Sequence, residues 1–162
     1  MKINGRLFSV ITILSILLTS CGSSKDGGKM MVATLQLKEP VEGICNQEKV
    51  YVLLPFMEKT QQEATCQLTD EELSKKLQEE VVYLSDHPDL NAEGTIGVMI
   101  NCKGRNVKTD VSTASEYPEL DEQVMAVFAS LTKWTPGGIN GVPVDSQRLI
   151  GFTVKDGIIT VD

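Results

Sequence analysis

From residue 68 onward, apolar positions change their spacing in a regular way that predicts alternating helices and hairpins. Thr69-Asp70-Glu71-Glu72 is a capping box, with Leu68 and Leu73 placed to staple across it. A helix is predicted to start there. Leu73, Leu77, Val81 and Leu84 then recur on one face, and His87-Pro88 stops the run. From Thr95 to Cys102 the chain alternates instead, with Ile96, Val98, Ile100 and Cys102 on one side. Lys103-Gly104 offers a tight turn into a second strand, Arg105 to Ala114. That turn sets Ile100 opposite Val107 and Ile96 opposite Val111, so the apolar residues of both strands share a face.

After Tyr117-Pro118, the acids Glu119, Asp121 and Glu122 suit a helix N-terminus, and Val124, Val127, Phe128 and Leu131 form a half-buried stripe. Pro136-Gly137-Gly138 is expected to end this helix. A polar loop through Asn140-Gly141 leads to a last hairpin, Arg148 to Lys155 and Ile158 to Asp162, turning at Asp156-Gly157. In that register Val154 faces Ile159 and Phe152 faces Val161, so Ile150, Phe152, Val154, Ile159 and Val161 form one apolar surface. Helix, hairpin, helix, hairpin predicts an α+β, two-layer domain: an antiparallel sheet of three to four strands with two helices packed on one face. No internal repeat is visible.

The N-terminal part is different. Lys2 and Arg6 precede an apolar run from Leu7 to Leu18, and Leu18-Thr19-Ser20-Cys21 follows as a lipobox, the signal for lipid attachment to a cysteine. The run is too short for a transmembrane helix. Residues 1–20 are thus expected to be a lipoprotein signal peptide, and residues 21–29 the lipidated Cys21 with a small, polar, flexible tether. Residues 30–66 are a poorly defined N-terminal part of the domain, with one strand signal at Lys49 to Leu54, and residues 67–162 form the domain proper. Gly22 after the cysteine favours the outer membrane of a cell envelope and leaves open whether the domain faces the periplasm or the outside.

The chain carries 15 basic and 22 acidic residues, a net charge of −7. Cleavage before Cys21 removes two bases and no acid, which leaves about −9. That acidity argues against a nucleic-acid partner, and it gives no attraction to anionic headgroups, so membrane lipid is contacted through the acyl chains alone. Three further cysteines, Cys45, Cys66 and Cys102, would sit where disulfides persist. Sequence does not decide the connectivity; a Cys45–Cys66 bridge with Cys102 as the free thiol is slightly favoured, because Cys102 falls at a strand end.

Gly94 to Val107, an alternating strand with a Gly104-Arg105 turn, together with Trp134-Thr135-Pro136-Gly137 and Asn140-Gly141-Val142-Pro143-Val144, resembles the C-terminal domain of the TonB family. In that family these are the first hairpin and a Trp-x-Pro-Gly…Gly-x-Pro-Val signature, here Gly104, Trp134, Pro136, Gly137, Gly141 and Pro143. The likeness covers about seventy residues. It implies that Trp134 packs the helix end and Pro136-Gly137 turns the chain into the third strand. It also implies a sheet edge that takes up an extended receptor peptide by strand addition. TonB itself carries a transmembrane helix and a long Pro-rich spacer, whereas this sequence has a lipobox and a short tether. The edge is expected in the last hairpin, at Ile150, Phe152 and Val154 or at Ile158 and Thr160.

Other chemistry lacks its signatures. The lone histidine, His87, has no Cys or His at metal-ligand spacing, and there is no Gly-x-Ser-x-Gly elbow, phosphate loop or Cys-x-x-Cys. Glu71, Glu72, Glu79 and Glu80 read as a solvated helix face rather than a calcium site. No cofactor and no metal are expected. The sequence points to a non-enzymatic envelope lipoprotein that binds a partner protein, in the first instance an outer-membrane receptor, in transport or energy coupling. The alternatives are a thiol-disulfide protein using Cys102 and a structural lipoprotein binding peptidoglycan or a small ligand.

Overall fold

The computed structural model describes residues 32–56 and 59–161, so Cys21 and the expected signal peptide lie outside the described residues. In chain order the elements are β1 (Ala33–Leu35), β2 (Val50–Val52), β3 (Gln61–Gln62), β4 (Thr65–Cys66), α1 (Asp70–Glu80), α2 (Val82–Asp86), β5 (Ala92–Ile100) and β6 (Asn106–Thr113). There follow α3 (Pro118–Ser130), β7 (Trp134–Thr135), β8 (Gly138–Ile139), β9 (Val142–Pro143), β10 (Ser146–Lys155) and β11 (Ile158–Val161). The fold is mixed α+β. None of the described helices is long and apolar enough to cross a membrane.

The capping box forms as the sequence predicts: Thr69 Oγ1 accepts from the Glu72 amide and Glu72 accepts from the Thr69 amide, which satisfies two orphan donors of the first turn. Val81 then leaves helical backbone (φ −84°, ψ 93°) and divides the predicted helix into α1 and α2. Leu77, Val81 and Leu84 are nevertheless all buried, so packing of that stripe outweighs an unbroken helix. Pro118 occupies the first turn of α3, where its missing N–H costs nothing. That helix ends at Ser130, before the expected Pro136-Gly137-Gly138 stop, because the chain from Trp134 is already pairing with β4.

The main sheet has six strands in the order β1-β2-β10-β5-β6, with β11 also on β10. Residues 32–56 thus add β1 to the predicted strands, β2 falls within the strand expected at Lys49 to Leu54, and β2 pairs with β10 in parallel rather than antiparallel fashion. The three residues of β1 carry too little pattern to be read from sequence. The last hairpin keeps its predicted register, Phe152 opposite Val161 and Val154 opposite Ile159. In the first hairpin Ile96 faces Val111 as predicted, but a bulge after Met99 shifts Ile100 onto Asn106 rather than Val107. The tip spans Asn101 to Arg105, where the Asn101 amide donates to the Arg105 carbonyl and its side chain accepts from the amides of Lys103 and Arg105.

Ile96, Val98 and Ile100 of β5, Ile150, Phe152 and Val154 of β10, and Ile159 of β11 point the same way and bury against Leu73 and Leu77 of α1 and Leu120, Val124 and Phe128 of α3. Each large side chain in this layer contributes about 1.5–3 kcal/mol by leaving water. On the other face of the sheet, residues 35–41 lie near Met99, Lys108, Asp110 and Gln147 across an open trough of about 630 Å3.

Candidate functional site

Position on β10 follows from which way its backbone groups point. The amides of Ile159 and Val161 donate to Gln78 Oε1 (2.9 Å) and Ser74 Oγ (3.0 Å) of α1, so those of Ile158 and Thr160 face β10 and pair with Lys155 and Thr153. Strand alternation then turns the backbone N–H and C=O groups of the odd residues of β10 away from β5. At one end β2 covers Ser146 and Gln147, and at the other β11 covers Phe152 to Lys155. Between them, Arg148 to Ile150 has no strand paired on that side among the described residues, and the outward groups of Leu149 face this opening; the register of β11 sets Gly151 opposite Asp162, which lies outside the described residues.

Side chains complete the opening. Leu149 is 53% exposed on the face away from the helices. On the helix side, a groove of about 330 Å3 is floored by Ile150 and Leu73 and walled by Cys66, Leu68 and Arg148. Arg148 donates to the Ala64 carbonyl at 3.1 Å, which holds its guanidinium at the rim. Acidic Asp70 and Glu71 line the same groove from the start of α1. An extended segment entering here would meet the outward backbone groups of Leu149 on β10 and an apolar floor beside them.

This placement corrects the expected edge. Strand β10 is interior over most of its length: β5 pairs along it from Ser146 to Val154, β2 and β11 cover the ends of its other side, and the Ile150, Phe152 and Val154 side chains are buried with 2% exposure or less. Ile158 and Thr160 lie on the outermost strand of that hairpin, but its outer backbone donors are taken by Gln78 and Ser74, so helix α1 closes that edge. Ile158 remains exposed at 59% and Thr160 is exposed.

The disulfide is also corrected. Cys45 bonds to Cys102, with Cα atoms 6.1 Å apart, and Cys66 is the free cysteine, half-buried in β4. The reason lies in residues 36–45, which return toward the β5–β6 tip, where the Asn101 side chain donates to the Gly43 carbonyl at 2.7 Å. Asp145, 2% exposed, closes the clasp: its carboxylate accepts from the amides of Cys45 (3.1 Å), Asn46 (2.7 Å) and Cys102 (2.8 Å). Sequence reading missed Asp145, whose one signal is an acid directly before an alternating strand. Cys45, Cys102 and Asp145 bring possible metal ligands within 4.8 Å of one another. With the sulfurs bonded to each other and the carboxylate engaged by three donors, the group acts as a structural clasp.

The motif residues assemble around the same junction. Gly104 has φ +74°, its carbonyl accepts from the Trp134 amide at 3.1 Å, and a Cβ there would overlap the Trp134 carbonyl. Trp134 is buried and its indole donates to the Leu131 carbonyl at the end of α3 (2.9 Å). Gly137 is packed against Leu53 and Ser146, while Asn140-Gly141 turns β8 into β9, where Pro143 is exposed. His87 is exposed and stacks on Tyr83 at 3.9 Å between ring centroids. Cys21 lies outside the described residues. In comparisons with known proteins, no family model, no curated protein and no solved structure matches this chain.

Proposed function

We propose that the chain is a lipid-anchored protein of the bacterial envelope that binds a partner protein by strand addition, without catalysing a reaction. The lipobox supports the anchor at Cys21, and the resemblance of residues 94–162 to the TonB C-terminal domain supports the mode of binding. Within that reading the helices form one layer and the sheet the other, and the partner is an outer-membrane receptor offering a short extended segment. One observation carries the placement of the site: the stretch of β10 at Arg148 to Ile150, unpaired among the described residues, with its adjoining apolar groove. Main-chain bonds to Leu149 would supply affinity, and a side chain seated over Ile150 and Leu73 would supply selectivity. A redox role would now fall to the Cys45–Cys102 pair, and its three-donor clasp on Asp145 favours a structural bond instead.

A photo-reactive amino acid at position 149 tests this in intact cells. It should capture one envelope protein through an extended segment, and Leu149→Pro, which removes the outward N–H without touching the pairing to β5, should abolish that protein's binding. Capture at 149 with binding unaffected by Leu149→Pro would remove strand addition at this opening.

A further inference from the structure

The opposite edge of the sheet is β6, and its sequence is complementary to itself. No strand pairs with the outer side of β6 among the described residues. The even residues of β10 face β5, so Gly97 and Met99 of β5 exchange bonds with Asp110 and Lys108, and alternation turns the backbone groups of Thr109 and Val111 outward. Edge strands are commonly guarded by charged side chains, prolines or bulges; the register shifts at both ends of β6 leave Lys108 to Val111 as its regular stretch. Here the charges alternate: Lys108 and Asp110 stand on one face, half-exposed, with Nζ and Oδ2 3.2 Å apart. An ion pair between neighbours on one strand is worth little by itself, so both groups are available to a partner.

We propose that β6 is a self-association edge, pairing antiparallel with β6 of a second copy about a two-fold axis at Thr109. This register sets Lys108 opposite the second copy's Asp110 and Asp110 opposite its Lys108, two cross-strand ion pairs on the same face. Thr109 meets its own copy as a hydrogen-bonded pair, as its outward backbone requires, while Val107 lies in the bulge outside the regular pairing. Other two-fold registers fail. An axis at Lys108 opposes two lysines, an axis at Asp110 opposes two carboxylates, and axes at Val107 or Val111 bring Lys108 and Asp110 into no mutual pair. The occupant is thereby specified by charge and hydrogen-bond parity together. The interface is small, so the dimer should be weak in dilute solution and promoted where acylated chains share a membrane.

Sedimentation equilibrium on the full chain in mild detergent, over rising protein concentration, is the test. Wild type should dimerise. Lys108→Asp and Asp110→Lys should each weaken dimerisation at least tenfold, while an equimolar mixture of the two variants should associate at least as well as wild type. Neither variant retains the intramolecular ion pair, so recovery in the mixture reports pairing between chains. Thr109→Pro, which removes an outward N–H that β5 does not use, should abolish association of the otherwise unchanged chain. Thermal melts by circular dichroism establish that each variant is folded; if the proline variant is not, the charge-exchange mixture decides. A monomeric wild type at all concentrations, single variants that dimerise like wild type, or a mixture that stays monomeric would each overturn the proposal.

Discussion

Cutting the Cys45–Cys102 bridge is the perturbation whose size follows most directly from the fold. The bridge joins residues 57 apart in sequence, and closing a loop of that length in the unfolded chain contributes roughly 4 kcal/mol on the chain-entropy model. With a urea dependence of about 2 kcal/mol per molar, that loss lowers the unfolding midpoint by roughly 2 M. The folded state changes less, because Asp145 holds the amides on both sides of the bridge whether or not the sulfurs are joined. Asp145→Ala in the oxidised protein strands three donors and should itself cost about 3 kcal/mol or more. Once the bridge is cut as well, residues 36–45 can detach and solvate those donors, so the two losses should sum to less than their separate values. Trp134, the single tryptophan and a buried one, reports unfolding by fluorescence. Urea titrations of the oxidised chain, the reduced chain, Cys102→Ser and Cys66→Ser should separate the first and last from the middle two. A midpoint indifferent to reductant, or a non-reducing peptide map that joins Cys66 to either partner, would refute the assignment.

Two smaller perturbations probe the junction and the closed edge. Gly104→Ala forces a side chain into left-handed backbone and against the Trp134 carbonyl, and should lose at least about 2 kcal/mol of stability in thermal unfolding; an unchanged melt would contradict that contact. Gln78→Ala removes both the acceptor for the Ile159 amide and the donor to the Gly157 carbonyl, costing about 1–3 kcal/mol, and amide exchange at Ile159 should quicken selectively. Equal protection at Ile159 in both proteins would mean that helix α1 does not close that edge.

Much of the fold was written locally. Thr69 and Glu72 announce a helix start because their side chains reach only a few residues, and Asp156-Gly157 announces a hairpin because both adopt positive φ (48° and 73°) in a two-residue turn. Once such a turn is placed, the register of Phe152 on Val161 follows from the period of the strand. Where the outcome depended on distant packing, local pattern misled: the bulge after Met99, the break at Val81 and the early end of α3 each serve contacts made far away in sequence. The site was legible only in part. Ile150, Phe152 and Val154 were rightly grouped on one apolar face, but that grouping says which way side chains point and nothing about which strands lie alongside.

The sequence by itself determined the order of helices and hairpins and the apolar face of most of them, since these are set by neighbours within a turn or two, and composition alone gives the surplus of acidic charge. The tertiary structure alone decided that β10 is central and open on one side only over a short stretch, that Cys45 meets Cys102, and that Asp145 binds both ends of that bridge. It also decided that α1 seals β11 while β6 stays open. Those outcomes rest on pairing between segments tens of residues apart, where cysteine spacing and strand period are indifferent to the choice and only the packing of the whole chain selects one.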